Sequence, residues 1–162
     1  AGESPRPSEI LASGKPSLTR LKVVAHAARG KQLFSLVAVR IVTGRRHQIR
    51  VHMQHIGHPT VCDGKYTPSE IFRSDSDWCP RNFLHRYRLA FRDATGAPQE
   101  ALAPLPPDLV LALGKIAPVA DGASEAALRR WLRGSALPGW EDVEALPGEA
   151  SAADQVVRSS EV

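Results

Sequence analysis

Cysteine is scarce in this sequence, and long apolar runs are missing altogether. Only Cys62 and Cys79 are present, with sixteen residues between them and no Cys-x-x-Cys pair. That spacing excludes a disulfide framework and sets a reduced, intracellular setting as the expectation, in cytoplasm or an organelle. No apolar stretch approaches the ~18 residues that a membrane span needs. The first twenty residues lack the apolar core of a signal peptide, so neither a membrane partner nor secretion is expected. Acidic residues are thin in the front of the chain: residues 1–100 hold 16 Lys and Arg against 8 Asp and Glu. Of totals of 21 and 17, that leaves 5 basic and 9 acidic residues for 101–162. A basic body with an acidic tail suits polyanion binding with a self-shielding extension. An ordinary solvated surface gives the same count.

What is present reads as one soluble domain, 43% hydrophobic and 23% charged over 162 residues. Residues 1–13, rich in Pro, Ser and Gly, read as a flexible lead-in. Residues 18–26 and 32–43 form a predicted hairpin, with Gly30 supplying a positive φ. The second strand is apolar at nearly every position and is expected to be central, covered on both faces. A helix is predicted over 46–56, with Ile49, Met53 and Ile56 as its buried stripe and Gly57 and Pro59 as its stop.

Residues 67–82 read as a long loop. Residues 83–92 alternate as a strand, with Phe83, His85, Tyr87, Leu89 and Phe91 on one face. A turn at 93–96 leads to a short strand near 98–103. Pro107 begins a short helix carrying Leu109, Leu111 and Leu113. Ser124 is the expected cap of a helix ending at Arg133 and Gly134, and the remainder is expected to be disordered.

The chemistry concentrates in Thr43-Gly44-Arg45-Arg46-His47-Gln48-Ile49-Arg50-Val51-His52, at the junction of strand and helix. Cationic side chains at a helix start oppose the dipole, so an anion is expected to answer them, either a phosphate or a carboxylate from elsewhere in the fold. His52 and His55 stand one helical turn apart and Cys62 follows, which raises a zinc site. His58 lies beyond the helix end and no second His or Cys pair stands nearby, so no metal is expected.

This segment, continued by Gly57-His58-Pro59-Thr60-Val61-Cys62-Asp63-Gly64-Lys65-Tyr66, resembles the signature of the RluA-type pseudouridine synthases. Residues 14–24, 83–91 and 103–109 are similar to further blocks of that family in the same order, so the resemblance covers roughly 14–110. It implies an α+β fold with a mixed, mostly antiparallel sheet and packed helices, corresponding to part of a pseudouridine synthase catalytic domain. On this reading 14–115 is the C-terminal half of that domain and 116–162 an acidic, partly helical or disordered extension.

The implied activity is isomerisation of uridine to pseudouridine in RNA, most naturally rRNA or tRNA, without a cofactor. Arg45 is implied as the electrostatic partner of a nucleophilic aspartate. The family carries that aspartate in an Arg-Leu-Asp block, and this chain offers only Arg20-Leu21-Lys22. The chain therefore reads as the C-terminal half of a synthase. The alternative is a non-catalytic RNA-binding or ribonucleoprotein subunit.

Arg46, His47, Gln48, Arg50, Arg86 and Arg88 are candidate RNA contacts. For His47 and Gln48, internal scaffolding is an equal alternative. Ile49 is implied at the base pocket, with a core role as the alternative. Asp63 reads as structural. Cys62 replaces a family glycine, at a steric cost if its φ is positive.

Overall fold

Residues 10–41 are rich in apolar residues, and their Val and Ile are β-branched types that fit a pleated surface. In the computed structural model, which describes residues 7–134, 138–146 and 155–161, they form one long hairpin. Strand β1 runs Ile10–Arg29, strand β2 runs Gln32–Ile41, and Gly30 turns between them at φ +61°. Residues 10–13 are thus strand, not lead-in; residues 1–6 lie outside the described residues.

The central strand is β1 rather than β2. It pairs with β2, with the two-residue β5 (Ala117–Pro118) at Ala27 and Ala28, and with β6 (Gln155–Glu161) along residues 15–21. Among the described residues β2 pairs with β1 alone, and Leu33 is 79% exposed. An apolar run marks a strand as buried only if pairing closes both its edges, and periodicity does not report edges.

The residues divide into two compact units. Among the described residues, the first comprises 7–22, 39–83 and 155–161. Its helix α1 spans Gln48–His55, two residues shorter at the start than the sequence suggests, because His47 adopts a left-handed conformation at φ +56°. The buried face is Gln48, Val51, His52 and Met53; Ile49 and Ile56 are only half-buried. The stripe is displaced because two polar residues turn inward to partners on β1. Gly57 at φ +83° ends the helix as expected.

Residues 69–76 are not loop but helix α2 (Ser69–Ser76). Its buried Asp75 accepts the Cys62 N–H at 2.8 Å and, through its carbonyl, the Cys79 N–H at 2.8 Å. Leu21, Val51, Met53, Cys62, Trp78 and Cys79 fill the core of this unit.

Among the described residues, the second unit comprises 23–38, 84–134 and 138–146. Strand β3 (Arg88–Arg92) is shorter than the expected 83–92 and pairs with β4 (Pro98–Leu102) as a ribbon exposed at every position. Residues 83–87 are not strand, because His85 and Tyr87 turn to other partners. His85 meets the Ala103 carbonyl, and the Tyr87 hydroxyl donates to the Pro138 carbonyl.

Helix α3 (Pro107–Leu113) buries Leu109, Ala112 and Leu113, whereas Leu111 is 69% exposed. Helix α4 (Gly122–Arg133) is capped by Asp121, whose carboxylate takes the Ser124 N–H at 2.5 Å. Ser124 is therefore not the cap; its hydroxyl instead accepts the His26 N–H at 2.9 Å. Gly134, at φ +62°, ends α4 as its sequence suggests. Residues 138–146 are folded, not disordered: Trp140 and Val143 pack with Val24, Leu36, Ala38 and Trp131. Residues 135–137 and 147–154 lie outside the described residues.

Candidate active site

The loop from Thr43 to His47 leaves β2 and enters α1, and its polar groups are taken up by Gln48. That residue is 2% exposed. Its Oε1 accepts the Thr43 hydroxyl at 2.8 Å and the Arg45 N–H at 3.0 Å. Its Nε2 donates to the Leu18 carbonyl at 3.0 Å and to Thr19 Oγ1 at 3.1 Å. A primary amide has two donors and two acceptor sites, so its capacity is fully used. The Thr43 hydroxyl also accepts the Leu18 N–H at 3.2 Å, closing a ring of Leu18, Thr43 and Gln48. Gln48 is therefore scaffold and corrects its reading as an RNA contact.

Arg45 projects from this loop with its side chain exposed. Among the described residues no ion pair engages it. Arg46 beside it is exposed as well. Ile49 is half-buried on the first turn of α1.

His47 and Arg50 are drawn into a cluster around Tyr66. The Tyr66 hydroxyl accepts the Ser8 N–H at 2.9 Å and lies 2.9 Å from His47 Nδ1. The two rings meet edge to face at 5.6 Å. Burial, followed by the positive charges of Arg50, Lys65 and Arg46, holds the His47 pKa below its usual value. With its oxygen already accepting the Ser8 N–H, the Tyr66 hydroxyl can donate its hydrogen bond to His47 Nδ1 when the imidazole is neutral.

Arg50 lies over the Tyr66 ring, 4.9 Å from its centroid, and grips Asp63 through two bonds. Two of its five N–H donors are thus taken up by a carboxylate inside the protein, which answers its charge there. Asp63 is 1% exposed. It also accepts the Thr60 hydroxyl and the Lys65 and Tyr66 amides. Burial alone would raise its pKa, but these donors outweigh burial and hold the carboxyl ionised. It is the structural aspartate that its turn suggests.

Cys62, the residue before it, stands at φ +57°, where the family-like glycine would be unstrained. Both cysteines are free and buried. His52 is buried against Ser17, with Nε2 and Oγ 3.1 Å apart, while His55 and His58 are exposed. Among the described residues no group of three or more His, Cys, Asp or Glu could hold a metal ion.

Arg86 and Arg88 belong to the second unit and are exposed. Arg88 is paired with Glu100 across the ribbon, so its charge is partly answered. Sequence reasoning passed over Tyr66 as a hub and Thr43 as a relay. Their signal was spacing: Tyr66 follows Asp63 by three residues, and Thr43 stands two before Arg45.

A family model described as RNA pseudouridylate synthase matches residues 2–55, which include the Arg45 loop and α1. An uncharacterized RNA pseudouridine synthase of Chlorobaculum parvum is 41% identical over 117 residues, covering 65% of this chain and 35% of that protein. Ribosomal large subunit pseudouridine synthase D of Escherichia coli K12 is 37% identical over 106 residues, 60% of this chain and 31% of that protein. The solved structure of human RNA pseudouridylate synthase domain containing 1 aligns with a TM-score of 0.54 at 33% identity. That alignment covers 77% of this chain and 49% of that one. The chain thus spans about a third of the length of these curated relatives.

Proposed function

This chain belongs to the RluA-type pseudouridine synthase family, and from that membership we propose that the protein isomerises uridine to pseudouridine in RNA. In this reaction the bond from N1 of uracil to C1′ of the ribose breaks and a bond from C5 to C1′ forms. The C5 hydrogen leaves to solvent and N1 gains a proton, so no oxidant, metal or cofactor enters the balance.

Arg45 carries the reading. It is an exposed guanidinium on a loop whose backbone is fixed, with no ion pair among the described residues. On this proposal its partner is an aspartate of an Arg-Leu-Asp block outside residues 1–162. The arginine keeps that carboxylate ionised and aimed at the sugar–base junction. Arg46 adds positive charge beside it, and Ile49 offers an apolar surface for a base withdrawn from its stack.

The substrate we favour is ribosomal RNA, since one relative is a large-subunit ribosomal enzyme. Contact with its phosphates falls to Arg46, Arg86 and in part Arg88, the exposed members of the basic set. The two free, buried thiols fit a reducing, intracellular setting.

The test uses the full-length polypeptide in which residues 1–162 occur, and ribosomal RNA carrying tritium at uridine C5. Release of tritium to water, with pseudouridine found at the same position, is the expected result. RNA binding without release overturns the proposal and leaves a binding subunit.

A further inference from the structure

Both backbone polar groups of Arg45 end on one residue. Its N–H donates to Gln48 Oε1 at 3.0 Å, and its C=O accepts the Gln48 N–H at 3.2 Å. The side chain reaches back three residues, as the glutamine of a capping box does. The helix itself cannot hold this loop. His47, the residue that caps α1, makes no side-chain cap bond, and its left-handed conformation breaks the helical path between Arg45 and α1. Gly44 adds no side chain to restrain the turn.

The other half of the Gln48 amide is anchored in strand β1, on the Leu18 carbonyl and Thr19 Oγ1. That anchoring settles which way the amide points: a carbonyl demands the NH₂ group, so the oxygen must face Arg45 and Thr43. Leu18 is held a second time, because its carbonyl also takes the Val42 N–H at 3.1 Å and its N–H reaches Thr43. Thr19 is fully buried. The loop is therefore tied to the middle of the most heavily paired strand, through a side chain that has no spare valence.

We infer that Gln48 is the positioning residue for Arg45, fixing its backbone so that the guanidinium alone is free to meet the reacting carboxylate. This rests on the function proposed above. Gln48 touches no substrate; it acts through Arg45, and Thr43 relays part of the hold. A displacement of about 1 Å at a reacting group can lower turnover by about 100-fold, so loosening this loop falls on kcat.

The test is a double-mutant cycle in the full-length polypeptide, reading tritium release and RNA affinity. Gln48→Met keeps the volume and removes all four side-chain bonds. It is expected to lower kcat by about 100-fold, with KM changed by less than about threefold. In an Arg45→Ala background the same change should cost less than about twofold, because residues acting as a unit are not additive. Additive losses, or a KM that rises as kcat falls, would assign Gln48 a merely structural role.

Thr43 keeps the inference testable should Gln48→Met fail to fold. Thr43→Val should lower kcat and Thr43→Ser should restore it, and equal kcat for the two variants contradicts the relay. A third reading needs no catalysis: amide exchange at Arg45 in the full-length polypeptide. Slow exchange at Arg45 that becomes fast in Gln48→Met, while the α1 amides stay protected, supports the hold. Unchanged exchange refutes it. Wild type that releases no tritium overturns the proposed function, whereas active wild type with an active Gln48→Met overturns only the positioning role.

Discussion

Arg50 and Asp63 face each other as fork to fork, Nε to Oδ2 at 2.7 Å and Nη2 to Oδ1 at 2.5 Å, joining α1 to the turn that carries Tyr66. The Asp63 side chain is fully enclosed, and that of Arg50 is 23% exposed. Removing one partner leaves the other charge without an answer. Arg50→Met is expected to destabilise residues 1–162 by about 3 kcal/mol, the low end for breaking a buried pair because Arg50 keeps some water. Urea unfolding checks this, and a change below about 0.5 kcal/mol would reduce the pair to an ordinary surface contact.

Two buried aspartates give stability opposite dependences on pH. The folded pKa of Asp63 is depressed, so its contribution is complete above the ordinary carboxylate value and disappears as pH falls through the depressed one. The folded pKa of Asp75 is raised, chiefly by burial, so its ionisation costs stability as pH climbs from the ordinary value through the raised one. In Asp75→Asn the amide oxygen can still accept the Cys62 N–H without the charge. This variant should match or exceed wild type at pH 7 and lose the alkaline-going decline. Thermal unfolding from pH 3.5 to 8 is the measurement, and greater damage at pH 7 than at pH 4 contradicts this account.

Cys62 pays for its left-handed backbone with roughly 1 kcal/mol. Cys62→Gly relieves that strain but loses the buried thiol, so the net change should stay within about 1 kcal/mol. Cys62→Val adds a β-branch at positive φ and should destabilise by about 2 kcal/mol or more. If Val is tolerated as well as Gly, backbone strain does not govern this position.

Helix α4 depends on Asp121 for its first turn. Asp121→Ala should cost about 1 kcal/mol in thermal or urea unfolding. An unchanged midpoint would mean that packing of Leu128 and Trp131 holds the helix without the cap.

Much of this architecture is legible in local chemistry. Gly30, Gly57, Gly96 and Gly134 all sit at positive φ where turns and helix ends were expected. Pro107 opens α3, and the β4 span follows its turn. The misreadings share one cause: partners distant in the chain. β2 looks central by its own residues, but centrality belongs to β1, whose partners include residues 117–118 and 155–161. Gln48 looks like an exposed polar residue at a helix start until Leu18 and Thr19, about thirty residues earlier, claim its amide. Ser124 has the right chemistry for a cap, yet Asp121 sits at the extended residue before the helix. At the site, Arg45 stands out by motif; what holds it does not.

The most direct measurement compares Arg45→Ala with wild type in the full-length polypeptide, taking kcat for pseudouridine formation and Kd for the same RNA. On the proposal that Arg45 steers a nucleophilic carboxylate, its loss should lower kcat by about 100- to 1,000-fold, the scale of removing one preorganised electrostatic group. RNA affinity should change by less than about threefold, since one phosphate-scale contact at most is lost. An equal fall in kcat and affinity, or a kcat within tenfold of wild type, would contradict the central claim and make Arg45 one more cation on an RNA-binding face.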